Sequence, residues 1–337
     1  VTSSTVAPTH QKRTLHDAVI AHAQVLSIGL FFLICCVLFA TLSPYFLMPG
    51  NLLNLIRQLA PLLIVAVGMT FVITTGGIDL SVGSTAAMAN AVVAIALQHG
   101  MSWPIAVSLV LVLGAVVGCV QGWLVAYQKI PSFIVTLAGL SILRGVALLL
   151  TQGYSIPIDE PGARLFIFLG RGWIFGFPVP AIFAMLIAIG GFIALTRMRY
   201  GRHVVAVGVN AEAARRVGIP SLRIILSVFM LSGLSAAFAG LLIAARLGSG
   251  SSNAAEGFEL NVIAAVVLGG TSLLGGTGTI VGTVLGALTI GVIGNGLILT
   301  HTSPFLVQIV TGIIILAAIW LNSRIFSRLA VGRGRRQ

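Results

Sequence analysis

The chain has 337 residues, of which 58% are hydrophobic and 8% charged, with a mean hydropathy of +1.09. Soluble domains run at about 25% charged residues, so a soluble fold is excluded, and only lipid tolerates this much outward-facing apolar surface. The net charge of +12 has a topological cause, because basic residues collect on cytoplasmic loops and tails and meet lipid headgroups there; no nucleic-acid partner is expected.

In chain order, residues 1–18 are polar and read as a loose cytoplasmic tail. A crossing needs about 20 apolar residues. Candidates lie near 22–43, 58–75, 81–98, 103–127, 132–152, 179–196, 222–246, 258–274, 279–299 and 304–322. The first run is too long for a signal-peptide core and lacks a small-residue cleavage site, so it is expected to be a retained helix. Glycine and proline punctuate the intervals, as at Pro44, Gly76-Gly77, Pro131, Pro220 and Gly275-Gly276. The expectation is an all-α integral membrane bundle of about ten transmembrane helices over residues 19–323, with a basic tail at 324–337. Segments 2 and 3, or 8 and 9, could be re-entrant hairpins without changing the parity.

Charge sets the orientation. With the N-terminus cytoplasmic, Lys12, Arg13, Lys129, the cluster from Arg197 to Arg223 and the C-terminal arginines all fall inside, about fourteen of the nineteen basic residues. Both termini are then cytoplasmic. Asp159, Glu160, Glu256 and Glu259 fall outside, and Arg144 lies within a span.

Three constellations stand out. In the run Gly76-Gly77-Ile78-Asp79-Leu80-Ser81-Val82-Gly83-Ser84, two glycines end one helix and Asp79 or Ser81 is expected to cap the next through its free amides. The run is a cap, or a hinge or pathway-lining break between mobile helices, and both readings can hold together. In the cytoplasmic loop 197–223, Asn210 is a good N-cap and Glu212 lies in the first turn. Ala213 and Ala214 follow, with Arg215 and Arg216 in the last turn. Gly218 supplies a left-handed stop, and Ile219-Pro220 forbids continuation. A helix of about two turns cannot hold itself in water. It must dock on its own transmembrane helices or in a cytoplasmic partner.

The third constellation is Glu256-Gly257-Phe258-Glu259-Leu260 leading into Gly269-Gly270-Thr271 and Gly275-Gly276, where glycine permits close packing or an interrupted helix. Asn90, Gln121, Asn261 and Asn295 are polar positions inside spans; each either cross-links helices or lines a pathway.

The absences also bear on function. The only lysines are Lys12 and Lys129, so there is no Walker A loop, and no His-Glu-x-x-His or Gly-x-Ser-x-Gly motif occurs. Cys35, Cys36 and Cys119 lie in apolar runs and the histidines are scattered, so neither a disulfide framework nor a metal site is expected. No catalytic residue and no cofactor are expected, and any energy must come from a partner.

These motifs resemble the ribose-type sugar permeases of bacterial ABC importers. The resemblance rests on Gly68-Met69-Thr70 through Ser84, Pro131-Ser132-Phe133-Ile134-Val135-Thr136-Leu137, and Tyr200-Gly201-Arg202 with 210–219. It also includes Gly257-Phe258-Glu259-Leu260 and Val266 to Leu273. It runs in order from about Pro44 to the end. It implies a transport subunit in the bacterial inner membrane that pairs with a second permease, a copy or a paralogue. It further implies a cytoplasmic ATPase that uses the ATP and a periplasmic or lipid-anchored protein that delivers a monosaccharide. Residues 210–219 would correspond to the coupling helix gripped by the ATPase. A branched-chain amino-acid permease is the nearest alternative. An ion-coupled carrier would need a membrane acid, for which Asp79 is the candidate.

Overall fold

The computed structural model describes residues 15–159, 161–303, 306, 309–313 and 316. The segments 1–14 and 324–337 and most of the tenth expected span lie outside the described residues. In chain order the helices are α1 (Leu15–Leu42), α2 (Pro49–Thr74), α3 (Val82–Gln98), α4 (Trp103–Ala126), α5 (Ser132–Thr151), α6 (Arg164–Arg171) and α7 (Val179–Thr196). They continue with α8 (Arg199–Val209), α9 (Ala211–Arg216), α10 (Ser221–Leu247), α11 (Phe258–Leu268) and α12 (Ile280–Leu299). Two small antiparallel ladders join them, β1 (Ile156–Pro157) to β4 (Ser249–Gly250) and β2 (Trp173–Ile174) to β3 (Phe177–Pro178).

Seven of these helices, α1, α2, α4, α5, α7, α10 and α12, are long and apolar enough to cross a bilayer. The apolar helices α3 and α11 are shorter, at 17 and 11 residues. Several helices carry proline in the first turn, where its missing N–H costs nothing: Pro49 in α2, Pro104 in α4 and Pro180 in α7. The helix expected over 258–274 ends at Leu268. Gly269 packs directly on Gly282 of α12, and Gly270 turns the chain with φ +90°.

The bundle has a buried centre and a shell. Of the apolar window of α2, 83% is buried, against 17–22% for α1, α4, α5 and α7. The shell helices therefore present a wide apolar face outward, as lipid requires. In the centre α10 packs on α4, α3 and α2 together. In lipid there is no hydrophobic drive between helices, so close backbone approach must supply the packing energy. Gly114, Gly118 and Gly122, spaced by four along α4, face Phe229, Gly233 and Leu226 of α10, and a Cβ on Gly118 would overlap the Phe229 carbonyl. On another flank Gly240 rests on Ala86 and Ala89 of α3.

Although consecutive, α2 and α3 do not form a folded-back hairpin; α3 packs on α10, α5 and α4. Along α10, α2 runs antiparallel, with Gly68 against Ser235 and Gly77 against Phe229. α3 runs parallel, from Asp79 at Ser232 to Ala86 at Gly240. The chain thus approaches along one side of α10, turns at 75–81, and leaves along another.

This packing yields a stability test. Gly118→Leu is expected to lower the melting temperature in detergent by overpacking worth about 1–3 kcal/mol. Gly145→Ala, with no atom near its Cβ position, should keep or slightly raise the melting temperature, because alanine is the better helix former.

Candidate coupling loop and helix breaks

The loop 197–223 folds as two helices rather than one. The short helix reads as expected: Asn210 is the N-cap, and its Oδ1 accepts from the Ala213 N–H at 2.9 Å. Gly218 takes φ +87° and donates to the Arg215 carbonyl, while Ile219 N–H donates to Ala214 at 3.0 Å. Ser221 Oγ closes the turn by donating to the Ala211 carbonyl at 2.9 Å. Of α9 only Ala214 is buried. Glu212 and Arg216 face each other at 3.6 Å, both largely exposed, a pair worth little in water. Val209 and Val217, which bracket the helix, are 73% and 77% exposed.

The helix α8 that precedes it was not foreseen. Its buried residues Gly201, Val204 and Val207 recur every three residues, a helical signal present in the sequence but masked by the arginines around it. Gly201 lies on the carbonyls of Ala194 and Leu195, and Tyr200 Oη shares a hydrogen bond of 2.8 Å with Ser227 Oγ of α10.

The far end of α8 reaches both glycine-rich breaks. Gly208 lies on the Thr74 carbonyl and on the Gly276 nitrogen, and Gly276 N–H donates to that same Thr74 carbonyl at 2.9 Å. Gly275 lies on Gly208 and Gly76, and Gly278 on the Thr74 hydroxyl. Gly76, Gly275 and Gly276 all have φ near +80°, a conformation open to glycine at little cost. The two breaks at Gly76-Gly77 and at 269–279, distant in sequence, are one junction in space. Thr271 is buried beside it, its Oγ1 accepting from Thr279 N–H at 3.4 Å.

Asp79 corrects the sequence reading in detail. Neither it nor Ser81 caps α3: Ser81 is the N-cap residue but makes no side-chain cap bond. Instead Asp79, 1% exposed, accepts at Oδ1 from the Ser81 N–H (2.9 Å) and hydroxyl (2.7 Å), and at Oδ2 from Ser232 Oγ of α10 (2.7 Å). With its one proton so committed, Ser81 Oγ accepts from Gln121 Nε2 of α4 at 2.8 Å. The adjoining Ile78 is held by α5: its N–H donates to Ser132 Oγ, and its carbonyl accepts from Thr136 Oγ1, both at 3.1 Å. The break is thereby tied to three helices at once. Gly83, in the first turn of α3, lies against Glu259 and the Ala255 carbonyl, so Glu259 sits in the packed protein and not in an external loop.

The other polar span residues separate clearly. Asn90 bridges the Gly240 carbonyl and the Ser251 N–H. Asn295 forms a reciprocal amide pair with Asn51 at 3.0 Å, joining α12 to the start of α2. Gln121 belongs to the Asp79 network. Asn261 is exposed on α11, and its side chain has no partner among the described residues. Sequence reasoning assigned no role to Arg144, whose guanidinium donates to the carbonyls of Ser252, Ala254 and Ala255.

The aromatic segment 154–178 divides in two. Phe166 is fully buried, whereas Trp173, Phe175 and Phe177 are exposed. Arg171 seals the end of α10 by donating to the carbonyls of Arg246 and Leu247, both at 2.7 Å.

Comparison with known proteins agrees with this architecture. The family described as "Branched-chain amino acid transport system / permease component" matches residues 51–319. The chain is 43% identical over 317 residues to the ribose import permease protein RbsC of Bacillus subtilis, covering 94% of this chain and 97% of that one. It is 41% identical over 293 residues to RbsC of Escherichia coli K12, covering 87% and 91%. To the xylose transport system permease protein XylH of the same organism it is 35% identical over 361 aligned positions, covering 89% and 90%. No solved structure matches. A helical bundle with seven long apolar helices among the described residues and a sequence match over most of its length lead to one conclusion: the chain belongs to this permease-component family, as the multi-pass, non-catalytic subunit of an ABC import system.

Proposed function

We propose that the chain forms the pathway for a monosaccharide in an ABC importer of a bacterial cytoplasmic membrane. A soluble binding protein delivers the sugar, and a cytoplasmic ATPase supplies the energy. A second permease, a copy or a paralogue, completes the pore. In this reading the chain crosses about ten times with both termini inside, as the charge distribution favours. The sugar is favoured over a branched-chain amino acid because the ribose and xylose permeases are similar over almost their whole length.

The observation that carries the mechanism is the α8–α9 elbow. Its outer end exposes Val209, Val217 and the short capped helix. Exposed valines beside a helix too short to be stable alone suit a socket in the ATPase. Its inner end, Gly208, rests on the junction of the two breaks. Closure of the ATPase would move α9, and α8 would carry that displacement to Thr74, Gly76 and Gly276. The Asp79–Ser232 bond passes it on to α10, so the bundle shifts between packed states instead of deforming smoothly.

Reconstitution with the cognate ATPase and binding protein tests this reading. Labelled ribose or xylose should accumulate only with ATP, and excess leucine should not compete; retention of leucine by the binding protein would favour the amino-acid alternative. Val217→Glu adds a charge at an exposed position, so it should leave the melting temperature intact and lower uptake by about tenfold or more. Its ATP hydrolysis should persist uncoupled, and normal coupled uptake would sink the docking assignment. Asp79→Ala strands the buried hydroxyls of Ser81 and Ser232, and is expected to cost about 1–3 kcal/mol of stability per unpaired group. Thermal unfolding in detergent would register that loss, with Ser232→Ala showing the smaller effect.

A further inference from the structure

The segment from Gly250, the last residue of β4, to Gly257, just before α11, is not helical, yet it runs deep along α3. At its start Gly250 rests on Ala91 and Ala94, and Asn90 Oδ1 accepts from the Ser251 N–H at 2.6 Å. At its end the Ala255 carbonyl and Glu259 lie on Gly83. The segment therefore covers α3 from its last turns back to its first, ~16 Å at 1.5 Å per residue. The following α11 adds a further ~16 Å. Together they match a hydrocarbon layer about 30 Å thick, so this crossing is half non-helical turns and half helix.

Irregular backbone at that depth is tolerated only where protein buries it or where it borders water. One side of the segment meets the first condition: it lies on α3, and Arg144 of α5 holds the carbonyls of Ser252, Ala254 and Ala255. The other side does not. Asn253 and Glu256 are exposed there, as is Asn261 one turn into α11, and none has a side-chain partner among the described residues. Elsewhere the large exposed side chains of the shell are apolar, with Leu109, Val112 and Val116 on α4 and Met185, Leu186 and Ile189 on α7, and exposed hydroxyls such as Ser108 and Ser141 donate to carbonyls of their own helices. Ser252 Oγ within the segment, and Glu259 Oε2 just beyond it in the first turn of α11, are buried without a hydrogen-bond partner among the described residues. Buried polar atoms of this kind call for water or a ligand.

We infer that the segment 250–257, stapled in place by Arg144, is a wall of the aqueous route. Asn253, Glu256 and Asn261 hydrogen-bond a neutral, polyhydroxylated solute as it passes. An amide offers both donors and acceptors and a carboxylate offers acceptors, the complement of sugar hydroxyls. Arg144 is a positioning residue: it acts through the carbonyls it holds and not by touching cargo. The inference rests on the sugar-permease reading.

Single cysteines test it in the reconstituted importer, after replacing Cys35, Cys36 and Cys119. Asn253→Cys, Glu256→Cys and Asn261→Cys should react with a charged, membrane-impermeant thiosulfonate far faster than Leu149→Cys, which lies on the exposed face of α5. Adding binding protein loaded with ribose or xylose should slow that reaction. Arg144→Lys keeps the charge but loses the planar fork. It should reduce uptake by about tenfold, the worth of a charge-assisted hydrogen bond, and abolish protection by the solute. Labelling of the three sites only by a lipid-soluble maleimide would overturn the inference. So would spontaneous disulfide pairing between two copies without any thiosulfonate reaction. Normal uptake and protection in Arg144→Lys would remove Arg144 from the proposal. Failure of the unmodified complex to import any monosaccharide would count against the sugar reading itself, and is distinguishable because accessibility is read separately from transport.

Discussion

The governing constraint in this protein is that backbone N–H and C=O groups have no water to turn to inside a bilayer. Continuous helices satisfy it automatically, so the breaks carry the structural burden. Each break is closed by a different device. At 75–81 the exposed groups are covered by Asp79, Ser132 and Thr136. At 269–279 glycine backbone packs on glycine backbone and on Thr74. At 250–257 a single guanidinium, Arg144, takes up three carbonyls. An arginine within a span, costly against hydrocarbon, is here a donor set matched to acceptors that a helix would otherwise have supplied.

These devices make the breaks cohesive, and α10 unites them. It begins at the turn that follows α9, contacts α8 through Ser227, the first break through Ser232, and α3 through Gly240. Its packing depends on small residues at close approach, which favours a few discrete arrangements over continuous deformation. A displacement at α9 therefore has a short physical route into the centre: α8, the double-glycine junction, and α10.

The surroundings of Asp79 also bear on energy coupling. Its two oxygens accept from three hydroxyl or amide donors, it is almost wholly buried, and its partners are neutral. An acid sealed in this way suits a fixed latch better than a site that exchanges ions with either side. This agrees with membership in a family whose partner uses ATP.

The sequence by itself determined the membrane class, because no arrangement of 8% charged residues could cover a soluble surface. It also determined most of the long helices, whose apolar runs must match the bilayer, and the short capped helix from Asn210 to Gly218, because cap, charge and stop signals act within a few residues of one another. Only the tertiary structure decided the rest. It decided that Gly76, Gly208 and Gly276 form one junction, that Asp79 serves Ser232 and not a helix cap, that α11 ends at Leu268, and that Arg144 has three carbonyl partners. Those outcomes depend on which surfaces meet across separations of tens to hundreds of residues. Periodicity and capping are local signals and carry no record of such meetings.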